Sequence, residues 1–285
     1  MRKSRLLHFL TTITMLTLVM VGICSCDKKD DNITTNPESL SSNSSATETT
    51  LAPTSTSTPV PTNTSTPTPT PTPTPIYVEP IMENEIWYGN FVDPRSVRAQ
   101  IVENPDDITA LVNKYFSLPL DYEPEDLVEA PYSFNQMLRE EACDAWILMH
   151  DACLEATGSE VILLSGYRSA STQQTLFLNS VSRRGIEFAC QKNAWEGRSE
   201  HQLGLALDLV PAGHSSIVDP FDETTVGAWI VEHCYEYGFI LRYPGEFSDE
   251  TGYGDESWHF RYVGIELATY LTENNMSLEA YYGVE

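Results

Sequence analysis

Arg168 stands in the run Ser165-Gly166-Tyr167-Arg168-Ser169, His201 precedes Asp208 by seven residues, and Glu256 precedes His259 by three. Two histidines and one carboxylate are the ligand set of a catalytic zinc site, because they leave the fourth tetrahedral position to a water. Glu256 has the offset of a general base for that water, and Arg168 supplies a cation for an oxygen on which negative charge develops. The chemistry these residues point to is metal-assisted hydrolysis. Across residues 81–285 a serine nucleophile finds neither an S-x-x-K nor a G-x-S-x-G setting.

Such residues need elements that bring them together. Ser133 and Gln136 form a capping-box pattern ahead of Met137, Leu138, Ala142, Ala145, Trp146, Met149, Cys153 and Leu154. The three-and-four spacing of that run predicts one helix, closed by Gly158. Residues 161–164 read as a short buried strand, and a second helix follows from about Ser171 with Leu176, Phe177 and Val181 inward. Arg168 therefore falls at a strand-to-helix turn. Residues 224–237 give another helix with Val226, Trp229, Ile230 and Cys234 on one face, and Gly238 ends it. A strand over 239–243 and a helix over 264–273 complete an α+β pattern.

Leu203, Leu205, Leu207 and Leu209 alternate with Gly204, Ala206 and Asp208, which predicts a strand with one bulky face and one small face. Asp208 lies on the small face, where Gly204 and Ala206 leave room for a metal and a substrate. Seven residues fully extended span about 23 Å, too far for His201 and Asp208 to share one ion, so the chain must bend between them. Gly204 is the residue that permits the bend. Glu256 faces the same ion only if residues 256–259 turn instead of running straight.

The sequence resembles the VanY-type D-alanyl-D-alanine carboxypeptidases, within the LAS group of zinc peptidases. The resemblance rests on SGYRS at 165–169, SEHQLGLALDL at 199–209 and ESWHFRYVG at 256–264, with weaker matches at 111–128 and 237–244. It covers roughly residues 105–275. It implies a small antiparallel sheet with flanking helices, one zinc ion on His201, Asp208 and His259, Glu256 as base and then acid, and Arg168 as the oxyanion donor. It further implies that Ser199 and Gln173 bind the end of the substrate. The implied substrate is a peptidoglycan stem peptide that loses its terminal D-alanine. Ser257 stands where the family usually has Pro, and Glu196-Gly197 where it has Pro-Gly, which bears on the loops beside the ligands. Trp258 is expected to pack beneath the site, while Arg261 and Tyr262 are open between packing and contact. L,D-carboxypeptidase and endopeptidase activity fit the same residues, as does, more remotely, a wall-binding lipoprotein without catalysis.

Arg2, Lys3 and Arg5 precede an apolar run from Leu6 to Ile23 and then Cys24-Ser25-Cys26, the pattern of an export signal over residues 1–26. The last residues also resemble a lipobox with Cys26 as the lipidated residue, and an uncleaved membrane anchor is the alternative. Residues 27–80 are dominated by Ser, Thr, Asn and Pro, a composition that cannot repay the entropy of ordering. Extended as polyproline II at about 3.1 Å per residue, this linker reaches about 150 Å, enough to carry a domain into a cell wall. Residues 81–285 are long enough for one catalytic domain, expected to act as a monomer outside the cell membrane. The net charge of −25 becomes −28 without the three basic signal residues, which makes nucleic acid an unsuitable partner. Cys143, Cys153, Cys190 and Cys234 show no C-x-x-C spacing and read mainly as buried apolar residues, with a disulfide between separate elements left open. His150, His214 and His233 lie outside the motifs and read as structural.

Overall fold

Segments that alternate bulky apolar with small or polar side chains build the sheet that carries the site. The computed structural model describes residues 81–82, 87–88 and 91–284. The expected export signal over 1–26, with Cys26, and the expected linker over 27–80 lie outside the described residues.

In chain order the elements around the site are β1 (Leu127–Glu129), β2 (Met137–Arg139), α1 (Glu140–Thr157), β3 (Val161–Ser165), α2 (Ala170–Arg184) and α3 (Ile186–Lys192). After them come β4 (Ala206–Pro211), α4 (Thr225–His233), β5 (Phe239–Leu241), β6 (His259–Tyr262), α5 (Ile265–Glu273) and α6 (Leu278–Tyr282). Strands β5, β6, β4 and β3, in that spatial order, form a four-stranded sheet in which every neighbouring pair is antiparallel. Strands β1 and β2 pair separately as an antiparallel hairpin. The expected α+β fold, a small antiparallel sheet with flanking helices, is the fold observed.

One sheet face makes the core. Leu163, Leu207, Leu209, Phe239 and Phe260 are fully buried in a cluster with Trp146 and Met149 of α1 and Ile230 of α4. Each such side chain stabilises the fold by about 1.5–3 kcal/mol through burial. Helix α2 starts where Ser169 Oγ accepts a hydrogen bond from the Thr172 amide at 3.3 Å, and α4 where Thr224 Oγ1 accepts from Gly227 at 3.0 Å. The four cysteines among the described residues are free and buried, so none forms a disulfide.

Four local expectations need correction. Ser133 does accept from the Gln136 amide, at 3.0 Å, but it closes the turn of the β1–β2 hairpin. Met137, Leu138 and Arg139 are therefore strand, and α1 begins at Glu140 without a side-chain cap. Pairing with β1 overrides the helical pattern, with Leu138 buried and Met137 exposed as alternation requires. Leu154 and Leu176 point outward at 36% and 40% exposure, where a core position was expected. The strand after His201 starts at Ala206, since Glu200–Leu203 coils into a 3-10 turn. The helix expected over 224–237 is α-helical only to His233 and tightens to 3-10 over Cys234–Tyr237.

Candidate metal centre

Register assembles the first part of the site. Antiparallel pairing sets Asp208 of β4 directly opposite His259 of β6, and Ser165 at the end of β3 opposite Asp208 on the other side. Cross-strand neighbours on one face hold their Cβ atoms about 5 Å apart, so the two side chains meet: Asp208 Oδ1 lies 3.0 Å from His259 Nδ1.

His201 arrives by the bend at Gly204. The 3-10 turn Glu200–Leu203 ends on Gly204 at φ 69°, where a Cβ would lie 2.8 Å from a methyl of Leu127 and 3.1 Å from Arg139 Cγ. Both the left-handed backbone and the close approach require glycine. The turn swings His201 back over the strand, and its Nε2 lies 3.2 Å from Asp208 Oδ2. His201 Nδ1 is 2.7 Å from the Gly166 carbonyl, so Nδ1 carries the hydrogen and Nε2 keeps its lone pair.

His201, Asp208 and His259 each offer one ligand atom within 4.8 Å of the other two, and all three are buried. Two imidazole nitrogens and one carboxylate oxygen suit zinc, whereas calcium and magnesium take oxygen ligands. The donor set therefore fits the ion the sequence implied. Burial and the neighbouring Arg168 push His201 down to about 4, which keeps it neutral and ready to ligate. Burial opposes a charge on His259, but the hydrogen bonds it donates to Asp208 and Glu200 outweigh it and raise this histidine to about 9. Asp208, despite its burial, is held well below the usual carboxylate range by the two histidines.

A cavity of about 480 Å³ opens over this cluster. Glu256 lines it because residues 256–259 do turn: the His259 amide donates to the Glu256 carbonyl at 3.0 Å. Burial, with the Asp208 charge adding to it, raises Glu256 to about 8. Arg168, after β3 and before α2, donates through Nη1 to Ser165 Oγ at 2.7 Å and to Asp208 Oδ2 at 3.3 Å. Its Nε donates to Gln173 Oε1 at 3.1 Å, and Gln173 Nε2 donates to the Ala194 carbonyl at 2.8 Å. Gln173 thus spans from Arg168 to the chain that follows α3. Ser199 lines the cavity and caps the 3-10 turn, accepting from the His201 amide at 3.4 Å. Trp258 belongs to the core cluster and also lines the cavity, so it does more than pack beneath the site. His150 is buried in α1, stacked on Tyr132 at 3.6 Å between ring centroids, and is no part of the cluster.

The sequence reading did not single out Glu200, which organises the far side of the centre. Its Oε2 lies 3.4 Å from His259 Nε2, while Oε1 accepts from Arg242 Nε at 2.8 Å and Arg261 Nη1 at 2.9 Å. Arg242 in turn pairs with Glu279 of α6 through two contacts at 2.8 and 2.6 Å. Against the cost of burial, Arg242 and Arg261 keep Glu200 ionised. With Nε2 of His259 committed to Glu200, Nδ1 is the nitrogen left for a metal, the carboxylate–histidine–metal arrangement that orients such ligands. Arg261 is a member of this network and does not line the cavity. Tyr243 and Tyr253 were also missed. They line the cavity, and Tyr243 packs on His259 at 4.9 Å between ring centroids.

A family profile described as VanY, D-alanyl-D-alanine carboxypeptidase, matches residues 135–265, which contain all of the motif residues above. A bifunctional D-Ala-D-Ala dipeptidase and D-Ala-D-Ala carboxypeptidase, VanXYC of Enterococcus gallinarum, is 35% identical over 178 residues, 60% of this chain and 92% of the relative. The chain belongs to the VanY-type D-alanyl-D-alanine carboxypeptidase family. Among solved structures the chain is similar to the LD-carboxypeptidase LdcB, 39% identical with a TM-score of 0.60 over 65% of this chain and 90% of that one. It is also similar to a mutant of the vancomycin-resistance D,D-pentapeptidase VanY in complex with Zn(II), 32% identical with a TM-score of 0.53 over 61% of this chain and 97% of that one. Membership in the family makes this chain an enzyme, a carboxypeptidase. The two departures from the family pattern are accommodated locally. Ser257 Oγ accepts from the Phe221 amide at 2.9 Å, and the Gly197 carbonyl accepts from Leu118 at 2.7 Å.

Proposed function

We propose that the chain is a zinc-dependent D,D-carboxypeptidase that removes the terminal D-alanine from peptidoglycan stem peptides. The observation that carries this reading is the convergence of His201, Asp208 and His259 beside a buried Glu256 at one end of a single cavity. His201 Nε2, the Asp208 carboxylate and His259 Nδ1 would hold the zinc. When bound, the ion polarises the scissile carbonyl and lowers the pKa of water.

The remaining work falls to side chains of this chain. Glu256 takes a proton from the attacking water and passes it to the leaving amine, a role open to it because it lines the same cavity as the three candidate ligands. Arg168 stabilises the oxygen on which charge develops, its guanidinium held in place by Ser165, Asp208 and Gln173. Ser199 and Gln173 bind the carboxyl end of the peptide, and Gln173 also fixes the direction of Arg168. No covalent intermediate is required.

Cleavage of the L,D bond of a tetrapeptide is the second reading, supported by the likeness to LdcB. The N-terminal sequence supports a lipid anchor on Cys26, with residues 27–80 as the tether that carries residues 81–285 into the wall. The test is Glu256→Gln in the zinc-loaded protein. One zinc per chain should remain while D-alanine release falls by about 10²–10⁴-fold. Release at the wild-type rate would remove Glu256 from the mechanism.

A further inference from the structure

The cavity has two zones of different character. Its floor is the metal centre with Glu256 and Arg168, and its mouth forms where α2 meets α3, with Leu176, Arg184, Phe188, Lys192 and Trp258 in the wall. Two cations stand at this mouth in a chain with 16 lysines and arginines against 41 aspartates and glutamates. Neither forms an ion pair among the described residues.

Each lies over an aromatic ring instead. Arg184 Cζ is 4.5 Å from the centre of the Phe188 ring, and Lys192 Nζ is 4.9 Å from the Trp258 ring. Stacking fixes the plane of a guanidinium and leaves the N–H groups along its edge free, the arrangement that receives a carboxylate through two parallel hydrogen bonds. Lys192 also donates to the Asp255 carbonyl, which ties it to the residue before Glu256. Leu176 and Ile217, 40% and 37% exposed, give the same wall its apolar part.

A carboxypeptidase holds the end of its substrate at the reacting centre, so the residues on the amino side of the scissile bond leave through the mouth. We infer that the mouth is a subsite for a peptide residue with a side-chain carboxylate on the amino side of the scissile bond, bound by Arg184 and Lys192 between the Phe188 and Trp258 rings. This subsite rests on the carboxypeptidase reading of the floor.

The test is calorimetry on the zinc-loaded full chain carrying Glu256→Gln, in which bound peptide persists. Two peptides ending in D-alanyl-D-alanine are compared, identical except that one upstream side chain ends in a carboxylate or in its carboxamide. The carboxylate peptide should bind about tenfold more tightly, Arg184→Gln should shrink that preference with Lys192 left to hold the carboxylate, and Arg184→Glu should abolish it. Arg184 is exposed, so both variants keep the fold. Equal affinity for the two peptides, or a preference that survives Arg184→Glu, would overturn the subsite. D-alanine release by the wild-type protein is measured separately. Release without a binding preference removes the subsite alone, whereas a binding preference without release removes the carboxypeptidase reading and keeps the anion-selective mouth.

Discussion

On one face of the four-stranded sheet, Leu207, Leu209, Phe239 and Phe260 are fully buried against α1 and α4; on the other, Asp208, His259 and Arg261 are nearly as buried yet charged or offering atoms that could hold a metal. The alternation that puts Phe260 and Tyr262 into the core puts His259 and Arg261 onto the opposite side of the same strand. The apolar face is held by contacts without direction, so it needs volume and shape. The polar face is held by directed atoms: Nδ1 of His201 on the Gly166 carbonyl, Nε2 of His259 toward Glu200, and Glu200 between two arginines. Removing one partner there leaves another charge buried and uncompensated.

Glu200→Gln is where the two faces should stop being separable, and it carries the largest expected effect. Arg261 and Arg242 lose their shared carboxylate, a cost of about 3–5 kcal/mol of stability. His259 loses its orienting partner, and zinc affinity of the folded fraction should drop about 10–100-fold. Chelator competition beside denaturant unfolding reads both, and a loss of stability with unchanged zinc affinity would reduce Glu200 to a structural residue.

Phe260→Ala should keep the faces apart. It leaves a cavity in the core at a cost of about 3–5 kcal/mol, while the folded fraction still binds one zinc with wild-type affinity. Weakened zinc binding in that variant would mean that packing of the core also sets the ligand geometry.

The smallest effect is on pH. In the metal-free protein His259 keeps its proton up to about 9, and zinc must displace it, whereas His201, at about 4, and Asp208 are already deprotonated. Zinc affinity should therefore rise about tenfold per pH unit from neutrality towards 9 and level off above it. An affinity flat across that range would show that His259 holds no such proton.

The same comparison explains what was legible in the sequence. The leucine alternation marked the sheet and its small face, and the separation of His201 from Asp208 demanded the bend found at Gly204. Residues 256–259 turn as Glu256 required. What escaped were contacts made only by tertiary pairing. Ser133 and Gln136 have the local chemistry of a helix cap, but β1 takes the following three residues into a hairpin. Glu200, between Ser199 and His201, carries no local signal of its role. Its arginine partners lie 42 and 61 positions away, beyond any local pattern. Tyr253 reaches the cavity from a loop whose path the sequence does not encode by period, and Tyr243 from just past β5, which ends at Leu241 where a strand to 243 was expected.

The central claim is that the buried polar face removes a terminal D-alanine, and D-alanine release by the purified zinc-loaded chain tests it most directly. Pentapeptide and tetrapeptide stems are offered in parallel, with Glu256→Gln as the control. The D,D-carboxypeptidase account predicts release from the pentapeptide, none from the tetrapeptide and release about 10²–10⁴-fold slower from the control; release from the tetrapeptide alone would contradict it and assign the L,D bond instead.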